Sequence, residues 1–155
     1  VESNGDDKMK IGWINFFNLI IVALLLIPNI VYALKNRNVK NKSQNRVLNI
    51  MEQIGRYGSI FFMIFNIGIE EFGFRSKAAF VIWIPCNGVL ILLYLIFWMF
   101  YFKKQKLSYA VTLAVIPSLI FLLNGFLLNY WALIVCAVIF CIAHIYVVYQ
   151  NHSVT

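Results

Sequence analysis

The sequence predicts an all-α polytopic membrane protein, a compact bundle of five transmembrane helices with its N-terminus outside and its C-terminus cytoplasmic. Three observations predict it. Hydrophobic residues make up 62% of the chain and charged residues 12%, with a mean hydropathy of +0.80. Soluble domains run at about 45–50% apolar and about 25% charged, so a single soluble core could not hold these side chains. Four segments, 11–34, 79–102, 107–129 and 131–149, are each long and apolar enough to cross a hydrocarbon layer of about 30 Å. The basic residues gather in two short loops, which sets the orientation.

Residues 1–10 form a polar tail, of which the acidic stretch 1–8 reads as tag-derived, with Met9 the native start. The first span, 11–34, is too long for the apolar core of a signal peptide and lacks a small-residue cleavage site, so it reads as a retained anchor. It places Asn15, Asn18, Asn29 and Tyr32 within about 100° of arc at about 100° per residue, and Pro28 frees a carbonyl one turn earlier.

The loop that follows carries Lys35, Arg37, Lys40, Lys42 and Arg46, and the turn after the third span carries Lys103, Lys104 and Lys106. Both are cytoplasmic by the positive-inside rule. The formal net charge of +7 therefore reports topology and anionic lipid, and nothing here resembles the interleaved basic and aromatic surface that holds nucleic acid.

The second span, 47–69, is the ambiguous one. Its charge-free part, 57–69, covers only about 20 Å at about 1.5 Å per residue, so a crossing has to carry Glu52 and Arg56 into the membrane. Charge parity argues that it crosses, because the two basic loops share one side only if an even number of spans separates them. On a helical wheel Glu52, Arg56, Ser59, Met63, Asn66 and Glu70 fall within about 40° either side of one line, while Tyr57, Phe61, Ile64 and Phe65 lie opposite. Such a stripe is costly against lipid and should turn toward other helices or a wet cavity. Glu52 and Arg56 then form either an i,i+4 pair with the Arg stem reaching for the interface, or the lining of a cavity. In the second case Arg56 offers up to five donors to an anionic or carbonyl-bearing ligand and Glu52 is its counter-ion or a proton acceptor.

The third span, 79–102, puts Asn87, Tyr94, Trp98 and Tyr101 on one face, and the fourth, 107–129, holds Ser118 and Asn124. Buried Asn and Ser commonly bond neighbouring helices together, and Gly55, Gly58, Gly68, Gly88 and Gly125 would allow close backbone approach. The fifth span, 131–149, carries His144, with Cys141 at i−3, and residues 150–155 form the cytoplasmic tail. Trp13, Trp83 and Trp131 fall at the outer boundary and Tyr32, Tyr101, Tyr109 and Tyr149 at the inner one, as interfacial belts do.

The candidate ligand-binding residues are thus Glu52, Arg56, Ser59, Asn66, Asn29, Asn87 and His144. No catalytic residue, metal site or cofactor is assigned. Cys86, Cys136 and Cys141 all lie in apolar segments without a C-x-x-C pair, and the hydrolase, metalloprotease and nucleotide-binding motifs are missing. The sequence favours a membrane-embedded protein that binds or transports a small molecule. An accessory, immunity or sensor-type protein working through helix contacts and a lipid-modifying enzyme using Glu52, Arg56 and His144 are the alternatives. Expected partners are membrane lipids, a small-molecule ligand, and a second copy or another membrane subunit. The expected location is a bacterial plasma membrane, with multiple passes.

Overall fold

The computed structural model describes residues 14–36, 45–65 and 77–153. These residues are all-helical apart from turns and one isolated bridge: α1 (Phe16–Lys35), α2 (Arg46–Ile64), α3 (Lys77–Lys103), α4 (Leu107–Leu127) and α5 (Trp131–Ser153). Four of them, α1, α3, α4 and α5, are long and apolar enough to cross a membrane, the mark of a membrane protein. By composition α2 is not among them, because Glu52, Gln53 and Arg56 occupy its middle. Its 19 residues nonetheless reach about 28 Å at about 1.5 Å per residue, close to a hydrocarbon thickness.

Capping decides where several helices begin and end. α1 starts at Phe16 rather than at Ile11, because Asn15 turns extended and its side chain accepts from the Asn18 amide at 3.0 Å. At the start of α2, Asn45 does the same for Val47 and Leu48. The end of α2 comes at Ile64, short of the expected Ile69. There the Ile64 carbonyl accepts from the Asn15 amide at 2.9 Å, and extended Phe65 pairs with Ile14 in a single antiparallel bridge. Between α4 and α5, Asn129 takes a left-handed conformation (φ 53°) and Tyr130 donates to the Gly125 carbonyl, a tight cap that folds the two helices back on each other.

The helices form a ring in the order α1, α2, α5, α4, α3, with α2 also touching α4 across it. Successive helices run in opposite directions. Phe17 meets Trp83, Asn29 meets Tyr94 and Tyr32 meets Trp98, so α1 and α3 run in parallel. Glu52 meets His144 and Phe62 meets Tyr130, so α2 runs antiparallel to α5 along its length. The ends carrying Lys35, Arg46, Lys103, Lys104 and Lys106 consequently gather on one side of the bundle, its basic end.

The α2–α5 seam is the most extensive in the bundle, and Gly55 makes it close. A Cβ at Gly55 would fall 2.6 Å from the backbone nitrogen and 2.7 Å from the Cα of Phe140. Between α3 and α4 the bonding is polar instead: Trp83 Nε1 donates to Asn124 Oδ1 at 2.6 Å, and Asn124 Nδ2 donates to Asn87 Oδ1 at 2.9 Å. All three side chains are buried.

Candidate functional site

Helical periodicity in α2 buries Glu52, Gly55, Ser59 and Met63 on one side and leaves Val47, Ile50, Ile54, Tyr57 and Phe61 exposed on the other. The exposed face is the kind lipid covers, and the buried face carries the charge. Glu52 is only 5% exposed. Its Oε1 accepts from Arg56 Nη2 one turn further along and lies 2.9 Å from Nδ1 of His144 on α5. A carboxylate can only accept, so with Glu52 ionised the imidazole hydrogen sits on Nδ1.

Phe140, one turn before His144, stacks on the imidazole with ring centroids 4.7 Å apart and planes 16° apart. The Arg56 guanidinium lies 5.8 Å from the centroid of the same Phe140 ring, inside the roughly 6 Å range of cation–π attraction. Phe140 is thus packed against both basic groups, and α5 supplies the imidazole and its support from successive turns.

Beside this cluster is a cavity of about 80 Å³ to which all five helices contribute. Its polar lining is Asn29 from α1, Arg56 from α2 and Tyr94 from α3; Leu25, Pro117, Phe121 and Phe140 make buried walls. Asn29 donates to the Tyr94 hydroxyl and to the Leu25 carbonyl, both at 2.7 Å, beside the carbonyl that Pro28 leaves without its helical donor. Asn29 is exposed and the Arg56 side chain is 34% exposed, so these two stand at a mouth between α1 and α2. α1 and α2 are pinned together where the Asn15 amide donates to the Ile64 carbonyl.

The dimensions restrict what fits. About 80 Å³ is the space of two or three waters, whereas sites for drug-sized ligands run from about 300 to 1,000 Å³. A small ion, or one polar group of a larger molecule, matches it.

Of the residues singled out from sequence, the structure brings Glu52, Arg56 and His144 into one cluster and Asn29 into the adjoining cavity. Ser59 is fully buried on the same face of α2, but it does not line the cavity and its hydroxyl has no hydrogen-bond partner. Asn87 belongs to the separate Trp83–Asn124 network. Asn66 lies outside the described residues. Sequence reasoning missed Tyr94 and Phe140 as site residues. Tyr94 was already on the polar face of the third span, seven residues from Asn87, and Phe140 stands at i−4 from His144, the spacing at which two rings on a helix meet.

Among the described residues no group of three His, Cys, Asp or Glu could hold a metal ion, and the lining includes no Ser, Thr or Cys. A second recess, about 670 Å³ between α3 and α4, is walled by apolar side chains such as Val89, Leu119 and Phe126 and offers only the Cys86 thiol for recognition. Fold and site together define an all-helical protein with membrane-length apolar helices and a Glu-Arg-His cluster built on the buried Glu52. Comparison with protein-family models, with curated proteins and with solved structures finds no match to this chain.

Proposed function

We infer that this is a five-span membrane protein, N-terminus outside, that binds or transports a small polar solute in the central cavity with Arg56 as the recognition group. One observation carries the reading: among the described residues, a cavity to which all five helices contribute is lined by Arg56, Asn29 and Tyr94. The antiparallel run of α2 along α5 supports counting α2 as a crossing, and charge parity of the loops supports the orientation. The basic end then faces the cytoplasm, and composition favours a bacterial plasma membrane. Membrane lipid is the partner that the exposed apolar faces require.

The test uses purified protein in nanodiscs of neutral lipid and a panel of nitrate, inorganic phosphate, acetate and the neutral amide acetamide. At ten times its Kd a ligand stabilises the folded state by about 1.4 kcal/mol, a measurable rise in unfolding temperature. The expected result is saturable stabilisation by at least one panel member that Arg56→Gln removes while remaining folded. No stabilisation by any member, or an equal response in Arg56→Gln, would overturn the reading.

A second reading has one observation in its favour. Glu52 and His144 are within hydrogen-bond reach at one depth, as a membrane-embedded enzyme using a carboxylate–imidazole base would require. It is the weaker of the two, since no nucleophilic side chain is among the cavity's described lining.

A further inference from the structure

We propose that the central cavity takes up a small monovalent anion together with one proton, the proton resting on His144. This rests on the solute-binding reading above and names both the class of solute and what controls its binding.

The argument is one of shared charge. Glu52 Oε1 is approached by two basic groups, Arg56 Nη2 and His144 Nδ1, and only Arg56 reaches the cavity. While His144 is neutral, the negative charge of Glu52 is the counter-charge of Arg56, and the cavity presents no net charge to an incoming anion. Protonation at Nε2 gives Glu52 a second cation. The Glu52–His144 pair is then neutral, and the positive charge of Arg56 is uncompensated at the cavity wall. An anion entering at that point restores neutrality: one proton and one monovalent anion enter for no net change in charge. In a low-dielectric interior that balance counts heavily, because an unpaired buried charge is far costlier than a paired one.

The surroundings of His144 leave few other groups to act this way. α5 packs against α2 and α4. From α2 the groups at His144 are Glu52 and Arg56, and the titratable side chain of α4 is Tyr109, in its first turn. On α5 itself Cys141 stands at i−3, and Tyr146 is exposed. Imidazole is the side chain whose charge changes near neutral pH, so this trio supplies a proton-dependent counter-charge.

The structure also favours an anion over a cation at the mouth. Lys35, Arg46, Lys103, Lys104 and Lys106 lie together at the basic end of the bundle, and a field of one sign draws the opposite ion into a cleft. Of the three polar lining groups Arg56 is the one that donates to an anion, because Asn29 Nδ2 already donates to Leu25 O and the Tyr94 hydroxyl, and the Tyr94 hydroxyl donates to Leu25 O at 3.2 Å. His144 acts through Glu52 and does not line the cavity, so its part is to set the charge that Arg56 shows.

The experiment measures nitrate, ionised at every pH used, against the wild type in neutral-lipid nanodiscs by calorimetry in buffers of different ionisation enthalpy. Affinity should fall as pH rises, reaching about tenfold per pH unit, and about one proton should be taken up per nitrate bound. Glu52→Gln removes the counter-charge permanently and should bind nitrate tightly with a flat pH profile. His144→Gln, which keeps an amide donor for Glu52, should bind weakly with a flat profile. The wild-type slope and proton count stand even if either variant misfolds. A flat wild-type profile, or nitrate binding without proton uptake, overturns the coupling and leaves the cavity reading in place. Binding of acetamide alone overturns the anion assignment, and no binding by any solute overturns both. Repeating the titration with phosphatidylglycerol in the bilayer should leave nitrate affinity unchanged; displacement by that lipid would make a headgroup phosphate the occupant and defeat the free-anion proposal.

Discussion

Replacing Gly55 with alanine tests whether the α2–α5 seam sets the geometry of the site. The added Cβ would stand 2.6 Å from Phe140 N and 2.7 Å from Phe140 Cα, where ordinary contact begins at 3.4 Å. Both obstacles are backbone, so no rotamer change relieves them and the helices must part by about 0.8 Å, an overpacking cost of about 1–3 kcal/mol. Alanine also gains about 0.5–1 kcal/mol over glycine in a helix interior, which would mask part of that loss. Gly88 supplies the control, since a Cβ there meets nothing within 4 Å. The propensity gain is common to both variants, so Gly55→Ala should be less stable than Gly88→Ala by the clash alone, about 1–3 kcal/mol. Glu52 and His144 face each other one turn from the clash. The same displacement would carry their 2.9 Å contact to about 3.7 Å, past hydrogen-bond range. The assay is unfolding in detergent followed by intrinsic fluorescence, with the pH profile of nitrate binding as the second readout. A Gly55→Ala protein as stable as Gly88→Ala would refute the close-seam argument. Lost stability with an unchanged pH profile would refute the claim that the seam sets the Glu52–His144 contact.

Two further substitutions separate structural polarity from the site. Asn124→Leu removes the acceptor of Trp83 Nε1 and the donor to Asn87 Oδ1, leaving buried groups unsatisfied at about 1–3 kcal/mol. Solute binding should be untouched, so unfolding and binding measured on one preparation check both halves. Ser59→Ala should stabilise the protein by about 1 kcal/mol, because a fully buried hydroxyl without a partner is removed at almost no cost in volume. A drop in unfolding temperature for Ser59→Ala would show that the hydroxyl is engaged.

How much of this was legible in the sequence follows from what a helix repeats. A period of 3.6 is intrinsic to the backbone, so one chain segment reveals which residues share its faces. The buried face of α2 was readable from Glu52 to Met63, and Asn87, Tyr94, Trp98 and Tyr101 are all buried on α3 as their spacing implied. The i,i+4 pairing of Glu52 with Arg56 was readable for the same reason. Helix ends were less so, since hydropathy could not foresee that Asn15 would cap α1 and pin Ile64. What was hidden was the partner of each face. Asn87 was grouped with the charged stripe on polarity alone, yet its partners are Asn124 and Trp83, because α3 lies beside α4 and away from α2 in the ring. Tyr94, on the same face of α3 two turns along, does reach the cavity.

The charges of α2 and its packing on α5 are two sides of one arrangement. A helix with Glu52, Gln53 and Arg56 at its centre is poorly suited to lipid, so its stability in the bundle has to come from a neighbour. Gly55 gives it that neighbour by letting the α5 backbone approach to near contact. That approach then fixes the register: Phe140 opposite Gly55 places His144 one turn further along, against Glu52. The imidazole is thus where the carboxylate needs a second partner because the backbones are as close as glycine permits. If the cluster is kept for solute binding and contributes little to stability, a hydrophobic replacement of all three groups would be neutral or better, as it is for many buried ion pairs. Glu52→Leu, Arg56→Met and His144→Phe combined should then fold at least as well as the wild type while losing all solute binding. A marked loss of stability in that triple variant would mean that the cluster is structural, and the functional reading of the cavity would lose its main support.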